Sequence, residues 1–279
     1  MIKIVTDSTA YLPAGTVRRY DIRVVPLYVH FGAEAFKEGM ELSNVAFYDR
    51  LRESPVLPTT SQPSAGEFLQ VFQELVEAGH EVIALTISSK LSGTWNSAIA
   101  AREMLPQAGI SVVDSLSTSV GLQLMVEAAV ELVAAGATRQ EVVARIEEIK
   151  PGMYILFMVD TLEYLAKGGR IGNARAFLGT MLKIKPILVL KEGVIEPLEQ
   201  VRSRPKALAR ILDLVEEHLG ERGPQARVAV AQALVPEEAG RIAQELQARL
   251  GCRPPVVAEV GPVIGTHTGP GVIGVAAYA

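Results

Sequence analysis

Residues 2–6, 24–31, 82–87 and 110–114 form apolar runs that are nearly continuous rather than alternating, and patterns of helical length separate them. A strand that is apolar on both faces must be covered on both faces, which is the condition of a parallel sheet flanked by helices. The cover is supplied by helical patterns near 12–20, 44–53, 65–78, 95–105, 119–135 and 139–149. Ser64 with Glu67 and Thr138 with Glu141 are capping boxes. In each, hydroxyl and carboxylate satisfy backbone N–H groups that a helix start leaves without partners. The first half is therefore predicted to be an α/β domain.

Lys150-Pro151-Gly152 interrupts this alternation, and strands then crowd, near 153–159, 186–190, 193–197, 227–233, 256–260 and 272–278. Helical patterns lie near 161–166, 173–182, 205–219 and 236–250. Glu192-Gly193 between two apolar runs reads as a hairpin turn, which brings antiparallel pairing into this half. Two domains are expected, residues 1–150 with a parallel sheet and residues 151–279 with a mixed one.

The 279 residues suffice for a sizeable core, with roughly three-quarters of the unfolded surface buried. Half the chain is apolar but only 5% is aromatic, so the interior is aliphatic. Stacking platforms for single-stranded nucleic acid are correspondingly scarce. Cys252 is the one cysteine, which excludes a disulfide framework, a cysteine-based zinc site and an iron–sulfur cluster. His30, His80, His218 and His267 show no ligand spacing, and no metal is expected. The first residues read as a strand rather than a signal peptide, and no run reaches the about 18 apolar residues of a membrane span. A cytoplasmic protein without membrane insertion is expected.

The net charge of −4 hides an asymmetry: residues 167–210 hold ten basic side chains against three acidic ones, leaving −11 on the remainder. Such a segment is either a solvated surface or a docking face for an acidic or phosphate-bearing partner.

Ligands of a parallel sheet gather beyond the carboxyl ends of its strands, and here those ends are hydroxyl-rich. Thr6-Asp7-Ser8-Thr9, Ser88 to Thr94 and Asp114-Ser115 follow three of the strands. Ser88 to Thr94 also leads into a helix, where free N–H groups, hydroxyls and the helix dipole suit an anion. The proline-bracketed loop Pro58 to Ser64 and the glycine-rich loop Gly265 to Gly271 add more hydroxyls and His267. Known phosphate motifs fail: there is no Walker A sequence, and Gly269-Pro270-Gly271-Val272-Ile273-Gly274 precedes a strand with five residues after it, too few for a dinucleotide-binding helix. Asp7, at a strand end, reads equally well as a partner of neighbouring N–H groups.

The motifs Thr6-Asp7-Ser8-Thr9, Thr60-Ser61-Gln62-Pro63, Ser88-Ser89-Lys90-Leu91-Ser92-Gly93-Thr94, Asp114-Ser115, Lys167-Gly168-Gly169-Arg170-Ile171, Lys185-Pro186-Ile187 and Gly265 to Gly271 resemble, in order and spacing, those of the DegV family. These are bacterial fatty-acid-binding proteins (FakB type) that serve a fatty-acid kinase. The resemblance implies a three-layer α/β/α N-terminal domain, a smaller mixed-sheet C-terminal domain and a buried long-chain fatty acid, with no cofactor. It implies that Thr60, Ser92 and His267 hold the carboxylate, and that Arg170 and Arg202 engage the kinase. The function implied is that of a carrier which presents its lipid for conversion to acyl phosphate, on the way to phospholipid synthesis. Hydroxyls and an imidazole would bind the carboxylate without a permanent neighbouring cation.

The residues also admit an acyl or ester hydrolase, with Ser92 or Ser8 as nucleophile, His267 as base and Asp7 or Asp114 orienting it. No G-x-S-x-G elbow supports that alternative.

Overall fold

Strand pairing changes character midway along the chain. In the computed structural model, which describes residues 1–178 and 184–279, a four-stranded sheet has the spatial order Arg23–Val25, Ile2–Asp7, Glu81–Thr86, Ile110–Asp114. All its pairs are parallel. A six-stranded sheet follows in the order Val194–Val201, Lys185–Lys191, Tyr154–Met158, Ile273–Tyr278, Arg227–Gln232, Val256–Glu259. It is antiparallel except for its last pair. The expected α/β class, with a parallel sheet first and a mixed sheet second, is what the chain adopts.

Both sheets are covered on both faces. Beyond the parallel sheet, helices Ala65–Glu77 and Thr94–Glu103 bury Phe68, Phe72, Ala98 and Ala101 against Val5, Val82 and Ala84. Both expected capping boxes form, on Ser64 and on Thr138. Helices Arg204–Leu219 and Pro236–Leu250 cover the outer face of the six-stranded sheet, packing Ile211, Val215 and Leu246 on Leu156, Val230 and Val275. Between the sheets lies helix Ser119–Ala134, eleven of whose residues are buried. Its apolar residues belong to one cluster with Ile4 and Leu85 of the first sheet and Ala229 and Ala276 of the second. A helix that is apolar nearly all round needs such a central position.

Four elements depart from expectation. The run 24–31 breaks at Pro26, which has no N–H for a ladder, so Arg23–Val25 stays in the parallel sheet. Tyr28–Phe31 instead joins a small antiparallel sheet with Glu34–Lys37 and Thr59–Ser61. The expected proline-stiffened loop thus contains a strand carrying Thr60. The expected loop Gly265 to Gly271 is helical as far as Thr268, in the short helix Pro262–Thr268 with proline in its first turn. The hairpin at Glu192-Gly193 forms with both residues at positive φ, 50° and 80°, as its tight turn requires. The helix expected near 173–182 begins instead as 3-10 turns from Gly172, and its last residues lie outside the described ones.

Candidate functional site

The inner face of the six-stranded sheet is the floor of a cavity. Cross-strand register aligns Ile195, Leu190 and Ile155 in one row, and Phe157, Gly274 and Ala231 in the next. All six line a cavity that, with its mouth, holds about 920 Å³ free of atoms. Val120 of the central helix, Leu165, Val263 and Ile264 close it from other sides. A concave site with mainly aliphatic walls and a few polar groups suits an apolar small molecule.

Of the three strand-end loops expected to gather a ligand, that of Ser88 to Thr94 reaches this cavity, whereas Thr6 to Thr9 and Asp114-Ser115 do not line it. Thr60, Ser92 and His267 all line it. Thr60 Oγ1 is 2.8 Å from His267 Nε2. Ser92 Oγ is 2.9 Å from Thr94 Oγ1 and accepts weakly from the Thr94 N–H, so its hydroxyl is oriented at the helix start. Two glycines make the convergence possible: a Cβ on Gly93 would stand 2.9 Å from Gln62 Nε2, and one on Gly168 would stand 2.2 Å from His267 Nδ1. Gln62 is exposed and lines the cavity, which places the polar end at the surface.

Arg170 also lines the cavity, half-buried, with Nε donating to Leu91 O at 3.1 Å and Nη1 to Gly168 O at 2.8 Å. The expectation of a head-group site without a neighbouring cation is corrected here. Burial, and then the positive charge of Arg170, hold the His267 imidazole down at about 4, so near neutral pH it is uncharged and the guanidinium supplies the positive field. Arg202 lies elsewhere, exposed and without a side-chain hydrogen bond or ion pair among the described residues.

The basic segment is partly neutralised. Lys167 pairs with Glu163, Lys185 and Arg204 with Asp160, and Arg210 with Glu199 and Glu217. Arg175, Lys191, Arg202 and Lys206 are exposed without ion-pair partners among the described residues, and Lys183 lies outside them.

The carboxylates at the strand ends serve the loops. Asp7 accepts from the Thr9 N–H and hydroxyl and from the Ile87 N–H, and burial pushes it up to about 6. Asp114 accepts from the N–H groups of Ser89 and Leu116. His267 Nδ1 is buried without a partner, so no carboxylate orients the ring as a triad base would need. Thr118 and Ser119, at the start of the central helix, are lining residues that the sequence reading did not single out. Their place after a strand of the parallel sheet was the available signal. Among the described residues no group of three or more His, Cys, Asp or Glu is arranged to hold a metal ion, and no helix is long and apolar enough to cross a membrane.

Comparison with known proteins agrees with this architecture. Residues 1–279 match the family described as "Uncharacterised protein, DegV family". Protein DegV of Bacillus subtilis (strain 168) is 38% identical over 275 residues, 98% of each chain. A fatty-acid-binding DegV family protein from Thermus thermophilus superposes with a TM-score of 0.94 at 38% identity, covering 100% of this chain and 99% of its own. A stearic-acid-binding protein from Eubacterium ventriosum superposes with a TM-score of 0.93 at 30% identity, covering 100% and 98%. From its first residue to its last, the chain belongs to the DegV family.

Proposed function

We propose that this protein is a carrier of long-chain fatty acids rather than an enzyme. The observation that carries the reading is a mainly aliphatic cavity lined by Thr60, Ser92 and His267, the first and last of them in hydrogen-bond contact. A carboxylate taken from water needs donors on both oxygens, and two hydroxyls, an imidazole N–H and the nearby Arg170 charge supply them. Each methylene buried contributes about 0.8 kcal/mol, so ~14 of them offer on the order of 10 kcal/mol before ordering costs. The tail then dominates affinity, and the head-group residues set orientation.

In this reading residues 1–150 and 151–279 act as two domains around one ligand, in the cytoplasm. The carboxylate is presented to a separate fatty-acid kinase, the product is carried as acyl phosphate, and phospholipid synthesis consumes it. Arg202 and Arg170 contribute the docking charge. Binding of fatty acid by structural relatives supports the lipid; the exposed, unpaired Arg202 supports a charged partner surface. No observation favours the hydrolase alternative.

Native mass spectrometry of the purified protein, with lipid extraction, tests the carrier. A fatty acid bound in stoichiometric amount is expected. Protein free of lipid that also fails to take up added palmitate would sink the reading. A burst of acyl-enzyme from an activated ester would favour the hydrolase instead.

A further inference from the structure

Glu38 is 4% exposed and does not line the cavity, yet three donors converge on its carboxyl group. The Ser8 hydroxyl donates to Oε2 at 2.5 Å, and the Tyr11 hydroxyl and Val263 N–H donate to Oε1 at 3.2 and 2.7 Å. Tyr11 Oη in turn accepts from the Ile264 N–H at 3.2 Å, and Ser8 Oγ from the Leu27 N–H at 3.0 Å. One side chain thereby ties the end of the first strand and Leu27 of the cavity wall to the first turn of helix Pro262–Thr268.

That turn needs the acceptors. Val263 and Ile264 stand where a helix offers its N–H groups no carbonyl of its own, and Val263 is buried. A seven-residue helix has little stability without its surroundings. The surroundings leave no slack: a Cβ on Gly261 would stand 2.6 Å from Tyr11 Cε1 and 2.8 Å from Glu38 Oε1. Val263, Ile264, His267 and Thr268 of this helix all line the cavity, so its placement sets both an apolar wall and the head-group imidazole. An apolar side chain would fill the space of Glu38 at less desolvation cost, so what the carboxyl group adds is its acceptors.

We propose that Glu38 is the positioning residue of the ligand site: by holding helix Pro262–Thr268 against the cavity it sets how long a bound fatty acid stays, without touching it. The proposal rests on the ligand reading above and extends it.

Stopped-flow release of cis-parinaric acid, a fluorescent fatty acid, is compared in wild type, Glu38→Ala, Glu38→Gln and Leu246→Ala. Leu246 is fully buried in the outer layer away from the cavity, so its variant controls for general destabilisation. Glu38→Ala should release the probe about tenfold faster or more, as loss of a buried acceptor costs its donors. Glu38→Gln, which keeps an acceptor for the Val263 N–H, should stay within about threefold of wild type. Leu246→Ala should release normally despite a lower melting temperature. Equal release rates for Glu38→Ala and Leu246→Ala would overturn the proposal. Should Glu38→Ala fail to fold, Tyr11→Phe, which removes only the Ile264 acceptor and one donor, should speed release, and a wild-type rate would overturn the proposal.

Amide hydrogen exchange over residues 263–267 needs no ligand. Faster exchange in Glu38→Ala or Tyr11→Phe than in Leu246→Ala is expected, and unchanged protection overturns the proposal. Failure of the wild type to bind the probe would instead defeat the fatty-acid reading, leaving the exchange comparison to judge Glu38.

Discussion

Thr60 and His267 are 207 residues apart in sequence, and their side chains are 2.8 Å apart in the fold. The strand Thr59–Ser61 and the helix Pro262–Thr268 meet only because the small antiparallel sheet docks beside the last helix. The hydroxyl fixes one ring nitrogen while the other has no partner. Thr60→Val, which replaces the hydroxyl with a methyl group, should therefore weaken fatty-acid retention about tenfold through loss of a head-group hydrogen bond. Competition with a fluorescent fatty acid measures this, and unchanged affinity would remove Thr60 from the site.

Gly168 is a glycine because the imidazole stands where its Cβ would be, at 2.2 Å from Nδ1. Gly168→Ala must displace His267 or the segment carrying Arg170, at a cost of roughly 1–3 kcal/mol. Both a lower melting temperature and poorer ligand retention are expected. Gly152→Ala, at a position with open space, is the matched control and should change neither.

Two small floor residues, Gly274 and Ala231, are cross-strand partners and both line the cavity. Ala231→Phe should fill the space beside Phe157 and shift the extracted lipid toward shorter chains, with overpacking costing roughly 1–3 kcal/mol. Mass spectrometry of the co-purified acids gives the readout, and an unchanged chain-length profile would mean that the tail does not cross this part of the floor.

Regular elements were legible because their signals are local. Capping boxes at Ser64 and Thr138 and the apolar runs of both sheets come from neighbouring residues, and the structure keeps them except for the run 24–31, which Pro26 divides between two sheets. Thr59–Ser61 was not legible as a strand, since three polar residues earn that state only by pairing with Tyr28–Phe31. Helix Pro262–Thr268 was hidden by glycines and threonines that favour turns in isolation, and its first turn is held from outside by Glu38 and Tyr11. The motifs named Thr60, Ser92 and His267 as one set. They left the placement of Arg170 at the cavity undisclosed, because that depends on carbonyls of Leu91 and Gly168.

His267 and Glu38 pull the pH dependence of stability in opposite directions. His267 is lowered from 6.5 to about 4, so as pH falls through this window the unfolded chain takes up the proton first and stability is lost. Glu38 is raised from 4.5 to about 7, chiefly by burial, so as pH rises the unfolded chain releases the proton first and stability is again lost. Relative to wild type, Glu38→Gln should gain roughly 3 kcal/mol across its window with rising pH, and His267→Gln should lose a similar amount across its own. Urea unfolding of each variant at several pH values gives the differences. Flat difference curves would contradict the burial that sets both groups.

Arg202 is exposed and bonded to nothing among the described residues, whereas Arg204 nearby is held by Glu238 and Asp160. Reversing its charge should therefore leave the fold alone, within about 0.5 kcal/mol. An exposed charge outside the cavity lining should not affect the lipid either. Its expected effect is on encounter with a partner, where a like charge slows association and grows weaker as salt screens it. If the proposed carrier role holds, Arg202→Glu should keep its melting temperature and its ligand while phosphorylation by the proposed fatty-acid kinase partner falls at least about tenfold at low salt. Arg204→Glu is the contrasting variant, because it breaks a paired network and should lower the melting temperature first. Normal phosphorylation of Arg202→Glu would exclude this residue from the docking surface.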